Sequence, residues 1–273
     1  MHIENPVEIV QNLTREWQGN RCPKGRPIVS DDLLERMKLV THEEAWAVLQ
    51  KHGYHLQFEG TWIVTHPNKV LVGRAFTAMM VPLRPDLDNL VQQLGKAQGR
   101  VGRQNSWVLD LLENNDVLVV DLFGKVKEGT YIGDNLATSI GTRTNAGAVF
   151  DGGIRDFEAI CKMTNVAIFC RGYDPAEMTE TTLAGINIPI RINHTTVLPG
   201  DVVLGTVTGI TFIPAHLAQE VVETSEDIRV RDIFGKLRLS EGKYTPGEID
   251  VDTWAAPVES DYQDWLINYN SRG

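Results

Sequence analysis

Two short stretches carry residues whose types and spacing suit chemistry on a small anionic substrate: Gly133-Asp134-Asn135-Leu136-Ala137 and Asp151-Gly152-Gly153-Ile154-Arg155-Asp156. In the first, a glycine and a short acid precede a helical pattern, so backbone N–H groups exposed at the helix start can hold a carboxylate or phosphate. The plainer alternative makes Asp134 an N-cap that satisfies its own helix. In the second, an apolar run ends in Asp151, two glycines permit a tight turn, and Arg155 and Asp156 fall where a new helix begins. Arginine offers a rigid fork that matches a carboxylate, and aspartate a hard oxygen suited to a magnesium-like ion. A surface Arg–Asp pair beside a helix start is the competing reading. Arg155 lies 21 residues beyond Asp134, room for one helix and one strand that return the chain to the same sheet edge.

The elements that must position these residues are short apolar runs that empty into glycine. DVLVVDLFG (116–124), GAVFDGG (147–153) and VAIFCRGYD (166–174) are each long enough for a buried strand. This is parallel βαβ construction, in which ligands gather beyond the carboxyl ends of the strands, so the loops after Val120, Phe150 and Phe169 are the places to look. Upstream, Thr41 and Glu44 form a capping box that predicts a helix over 42–52, closed by Gly53, with Trp46 in the core. Strands are expected over 60–65 and 70–81, with Met79 and Met80 filling core, and helices over 86–97 and 106–113. Further strands are expected over 188–192, 201–207 and 210–213, after which Pro214 takes a first helical position ahead of the stripe Leu217, Val221, Val222 and Ile228. Residues 1–29 read as an N-terminal arm, with a linker-like stretch from Gly19 to Pro27 and structured sequence starting near Ser30. Residues 30–234 read as one core domain. Residues 235–273 form an acidic extension whose Trp254, Tyr262, Trp265 and Tyr269 are costly to leave in water, so it is expected to dock on this subunit or a neighbour.

The chain has 273 residues, 42% apolar and 23% charged, which is ordinary globular usage and excludes a disordered or fibrous protein. Its 26 Lys and Arg against 36 Asp and Glu leave a formal charge of -10, which repels phosphate backbones and acidic membrane surfaces. Neither nucleic acid nor membrane is expected as a partner. The three cysteines form no C-x-x-C pair, and His52 and His55 are separated by a helix-ending glycine, so neither a disulfide framework nor a zinc site is expected. Glu4 and Glu8 stand where a signal peptide needs a basic and then an apolar run, and no stretch approaches 18 apolar residues, so the expected location is the cytoplasm.

Taken together, the motifs resemble a known family. The order D-x-x-G (121–124), G-D-N-L-A (133–137), A-G-x-V-x-D-G-G-I-R-D (146–156), N-I-P-I (187–190), P-G-D (199–201) and G-x-x-x-I-P (209–214) is similar to the RraA-like family. Val72-Gly73-Arg74-Ala75-Phe76-Thr77 is similar to that family's G-x-A-x-T strand, and the likeness spans about residues 40 to 234. The family includes class II 4-hydroxy-4-methyl-2-oxoglutarate aldolases with oxaloacetate decarboxylase activity, and RraA regulators of ribonuclease E. The resemblance implies an α/β fold, a β/β/α swivelling-type domain with parallel βαβ units, assembled as a homotrimer or homohexamer with sites between subunits. It implies that Arg155 binds a 2-oxo acid, that Asp156 holds Mg²⁺ or Mn²⁺, and that Gly133, Asn135 and Leu136 offer amides to the substrate carboxylate. It implies that Asp134, in the same substrate-binding loop, is the acid near the metal-bound water, with either Asp134 or a metal-bound hydroxide as the base. The chemistry is consistent with those roles. Cleaving a 4-hydroxy-2-oxo acid or decarboxylating oxaloacetate leaves charge on a pyruvate enolate, and a metal route needs oxygen ligands, a positive group for the carboxylate and a base.

Some positions depart from the family's pattern. Thr206-Val207-Thr208-Gly209 stands where an acid-rich D-x-D-G is common, and the loop from Asp174 to Gly185 holds no Lys or Arg where some aldolases place a lysine. His194 is a candidate acid or base in a cleft, although a hydrogen-bonded structural role is the simpler expectation. Glu220, Glu223 and Glu226 are read as an exposed helix face rather than as a second shell for the metal. The alternative from another class is a regulatory binding protein that keeps the scaffold and does no chemistry. No G-x-G-x-G turn follows a strand, so a methyltransferase has no support.

Overall fold

The computed structural model describes residues 1–270. The chain begins with α1 (Val7–Leu13), α2 (Asp31–Met37) and α3 (His42–Lys51), then β1 (Phe58–Glu59), β2 (Ile63–Val64) and the long β3 (Leu71–Pro82). Next come α4 (Pro85–Ala97), α5 (Gln104–Leu109), β4 (Asp116–Asp121), α6 (Asp134–Thr144), β5 (Gly147–Ile154), α7 (Phe157–Ile160) and β6 (Ala167–Tyr173). The last part holds β7 (Thr181–Ile186), β8 (Ile190–Ile192), β9 (Thr195–Val197), β10 (Val202–Thr206), β11 (Gly209–Ile213), α8 (Ala218–Ser240), α9 (Pro246–Ile249) and α10 (Ala256–Asn270).

Among the described residues, nine strands form the main sheet in the order β1-β11-β10-β3-β4-β5-β6-β2, with β7 also paired to β3. The run β3-β4-β5-β6 is parallel throughout, as the three apolar runs predict. β4 is buried along its whole length because both faces are covered. Leu118 and Val120 pack with Phe150 and Ile140 on one side, and Val117 and Val119 pack with Phe169 and the β8–β9 hairpin on the other. Burying each such side chain stabilises the fold by roughly 1.5–3 kcal/mol. β3 serves two neighbours on one edge: Leu71 to Arg74 pair with β10, and Ala78 to Pro82 pair with β7. The fold is thus mixed α/β with a parallel centre.

Several expectations need correction. The helix α1 precedes Ser30, and Ile3 and Val10 are buried, so the N-terminal arm is folded onto the core rather than linker-like. Arg26 anchors it with two bonds to Asp116, at 2.7 and 3.0 Å, both side chains nearly fully buried. Trp46 is 54% exposed, not core, because α3 buries His42, Ala45, Val48 and Leu49 and the indole stands at the rim of that stripe. Met80 is buried as expected, while Met79 is only partly so. The helix expected over 106–113 spans Gln104–Leu109, and Pro214 precedes a 3-10 turn, with α8 starting at Ala218.

The capping box of Thr41 and Glu44 is present, both reciprocal bonds made. The aromatic extension docks on its own subunit: Phe234 of α8, Trp254 and Val258 form a small buried cluster joined by Tyr262 and Trp265. Residues 271–273 of that extension lie outside the described residues. Among the described residues no helix is long and apolar enough to cross a membrane.

Candidate functional site

The two motif stretches meet at the carboxyl end of β5. After β4, Asp121 accepts the N–H of Phe123 at 2.9 Å and Gly124 donates to Asp151 O at 2.8 Å, which closes the D-x-x-G turn. Burial pushes the Asp121 carboxyl up, and the neighbouring Asp151 adds to the rise while the Phe123 N–H opposes it. The loop that follows crosses β5 closely. A side chain at Gly152 would lie 2.5 Å from Leu122, and one at Gly153 would lie 2.8 Å from Val126 O, so both positions need glycine. Residues 130–133 then run beside the end of β5, where Tyr131 N–H donates to Gly153 O at 2.9 Å and Arg155 N–H to Ile132 O at 3.0 Å. This short ladder sets Gly133 against Arg155 and Asp156.

Asp156 adopts a left-handed conformation, φ 55° and ψ 33°, which aspartate tolerates better than most residues. Its Oδ2 accepts the N–H of Asp134 at 3.3 Å and lies 3.6 Å from Arg155 Nε. Gly133 is the N-cap of α6, and Asp134 is the first helical residue rather than the cap. Asp134 Oδ1 accepts the next N–H, that of Asn135, at 2.8 Å. Of the amides in this loop, those of Asp134 and Asn135 are therefore already donated to carboxylates, while those of Gly133 and Leu136 have no acceptor among the described residues. The N-terminal end of α6 adds its partial positive charge to the same place.

Among the described residues the Arg155 guanidinium makes no hydrogen bond and is 44% exposed. Arg171, by contrast, is tied to Asp151 at 2.7 Å and stacks over Trp62. Arg155 stands between two depressions. One, of about 170 Å³, is bounded by Gly133, Leu136, Ser106, Arg103 and Glu177. The other is a wider open groove of about 780 Å³ that holds Asp134, Asp156, Lys162 and Tyr173. Arg103 pairs with Glu177 at 2.7 Å, and this contact, aided by Arg155, holds the Glu177 carboxyl below the usual range.

Arg103, Ser106 and Glu177 escaped the sequence reading. They come from loops and a short helix without periodicity, and only a chain path known in advance brings them to Arg155. His194 is exposed at the β8–β9 turn, where its backbone N–H donates to Glu59 at 2.8 Å; its ring makes no hydrogen bond among the described residues, contrary to the structural role expected. Glu220 and Glu226 pair with His52 and Arg36 on the surface, in keeping with an exposed face.

The site has a steric prediction. A Cβ at Gly133 would fall 2.3 Å from Asp156 Oδ2 and 2.9 Å from Arg155 Nε, so Gly133→Ala must displace both groups. Misplacement of this order is expected to lower any catalysis that uses Arg155 and Asp156 about 100-fold while the thermal midpoint barely moves. Steady-state rates beside a melting curve check it.

A family model described as RraA-like, Aldolase/RraA, matches residues 29–212. The chain belongs to the RraA-like family. It is 34% identical over 126 residues to a protein of Halalkalibacterium halodurans provisionally named a 4-hydroxy-4-methyl-2-oxoglutarate aldolase, covering 46% of this chain and 59% of the relative. It is 32% identical over 136 residues to Protein DlpA of Legionella pneumophila, covering 49% of this chain and 22% of that protein. The chain thus spans under two thirds of the length of either curated relative. Among solved structures, RraAS2 of Streptomyces coelicolor, described as an unusual member of the RNase ES inhibitor RraA protein family, superposes with a TM-score of 0.64 at 25% identity. That match covers 78% of this chain and 98% of RraAS2. The RraA-like family accounts for the α/β fold with its parallel centre.

Proposed function

We propose that this chain is a divalent-metal-dependent carbon–carbon lyase acting on a 2-oxo acid, by retro-aldol cleavage of a 4-hydroxy-2-oxo acid, decarboxylation of oxaloacetate, or both. The observation that carries the reading is the Arg155 guanidinium, free of hydrogen bonds among the described residues, beside two carboxylates, Asp134 and Asp156, at the start of α6. The relative named as an aldolase supports it at the level of the family.

The donor set fits Mg²⁺ or Mn²⁺. Asp156 and Asp134 offer hard carboxylate oxygens in an open groove, and magnesium keeps several waters and needs only one or two carboxylates. Asp156 would hold the ion, with Asp134 beside it. Bound there, the metal supplies Lewis-acid stabilisation of the negative charge that bond cleavage leaves on the pyruvate oxygen. The protein's own groups do the rest. Arg155 pairs with the oxo-acid carboxylate through its planar fork and orients the scissile bond. Asp134 Oδ2, free of hydrogen bonds among the described residues, accepts the proton of the 4-hydroxyl as the C3–C4 bond breaks and the C4 carbonyl leaves. The partial positive charge at the start of α6 favours the enolate over the neutral reactant. In decarboxylation the departing group is CO₂ and no base is needed to remove a hydroxyl proton.

The test is pyruvate release from oxaloacetate and from 4-hydroxy-2-oxo acids with Mg²⁺, with Mn²⁺ and after chelation. Metal-dependent release is the expected result. No turnover of any oxo acid, with stoichiometric capture of a ribonuclease, would favour the second reading, a regulator without catalysis, which the likeness to RraAS2 supports. A homotrimer or homohexamer in the cytoplasm, with sites shared between subunits, completes the proposal.

A further inference from the structure

A second cavity, of about 270 Å³, shares no lining residue with this cleft and lies where the N-terminal arm meets the core. Leu13 and Trp17 from the arm, Tyr54 after α3, and Leu198 and Pro214 from the sheet side give it an apolar wall. One buried acid interrupts that wall. Asp201, 5% exposed, accepts the Leu198 N–H on Oδ2 at 2.8 Å, and its Oδ1 has no hydrogen-bond partner among the described residues. Among the described residues, no lysine or arginine lines the cavity. A carboxyl oxygen left unmatched in an apolar wall is costly, and a donor that carries positive charge relieves that cost best. The rings of Trp17 and Tyr54 also favour a cation in the same space.

We infer that this cavity is a binding site for a small organic cation, a primary amine on a compact aromatic or branched aliphatic body, with Asp201 as its counter-ion. An apolar cavity of about 150 Å³ suffices for benzene, so this one has room for a phenyl ring and a short amine arm. Among the described residues, the other titratable groups facing it are Glu16, Tyr54 and His216. Glu16 adds negative charge at the mouth, while burial holds His216 below its ordinary value and so neutral near pH 7. Burial also raises the Tyr54 phenol, which stays protonated. Nothing in this inference depends on the lyase reading.

The experiment is calorimetric titration of the full chain with benzylamine, and with benzyl alcohol as the uncharged probe of similar shape. Saturable one-site binding of the amine, with the alcohol at least about tenfold weaker, is expected. Asp201→Asn keeps an acceptor for Leu198 N–H and should weaken amine binding at least about tenfold. Thr196→Trp should abolish binding by filling the cavity from its exposed rim. Burial pushes the Asp201 carboxyl up to about 7, so the affinity of the wild-type chain should rise about tenfold from pH 6 to pH 8 as the carboxylate form becomes dominant. If Asp201→Asn does not fold, the pH series and Thr196→Trp decide. No saturable binding at millimolar amine, equal binding of the alcohol, or an affinity indifferent to Asp201→Asn or to pH overturns the inference.

Discussion

Arg155→Ala is expected to lower kcat/KM for pyruvate release from oxaloacetate at least about 100-fold, which corresponds to roughly 2.7 kcal/mol of lost transition-state stabilisation. The side chain is 44% exposed and makes no hydrogen bond among the described residues, so the fold should hardly notice its removal. Arg155→Lys keeps the charge but loses the fork, and should recover only part of the rate. Asp156→Asn should act differently. It removes the proposed metal oxygen, so the concentration of Mg²⁺ needed for half-maximal rate should rise steeply, whereas Arg155→Ala should leave that concentration nearly unchanged and raise KM. Each variant must first be shown to assemble like the wild type, because a site between subunits can be lost through association alone. Activity of Arg155→Ala within threefold of wild type would remove the central role given to this guanidinium.

The largest effect on stability is expected at the other end of the sheet. Asp116→Ala leaves Arg26 buried and unpaired, with Glu113 only at 4.0 Å as a distant substitute, and should destabilise the fold by about 3–5 kcal/mol. At about 2–4 °C per kcal/mol for a chain of this size, the melting midpoint should fall by roughly 10 °C. Asp116 also accepts the Glu113 N–H at 2.9 Å, so the turn into β4 loses a bond at the same time. Replacing both partners, as in Arg26→Met with Asp116→Leu, removes the stranded charge and should recover part of the loss. A single-mutant midpoint within 2 °C of wild type would mean that the ion pair is not what fastens the arm.

Local chemistry explains which features could be read from sequence. α3 is legible because the capping box at Thr41 and Glu44 is satisfied within four residues of chain. β4, β5 and β6 are legible because strands covered on both faces need continuous apolar runs. The meeting of Gly133 with Arg155 and Asp156 follows from a motif order, and Gly133 stands where a Cβ would strike both side chains. Trp46 was misplaced because periodicity finds a stripe but not its edge, and the indole lies just past it, beside the exposed Phe58. Arg103 and Glu177, 74 residues apart in the chain, meet only through the path of the loops around the sheet, so no local pattern marks them. The folding of residues 1–29 onto the core was hidden for the same reason: Arg26 finds Asp116 across 90 residues.

The shared edge of β3 limits how this protein can come apart. Its first half is capped by the β10–β11 hairpin and its second half by β7, so peeling off either neighbour bares half of one continuous strand whose other edge is still held by β4. Opening is therefore expected to engage both ends of the sheet at once, and amide protons along β3 should exchange with solvent only through events that expose the whole molecule.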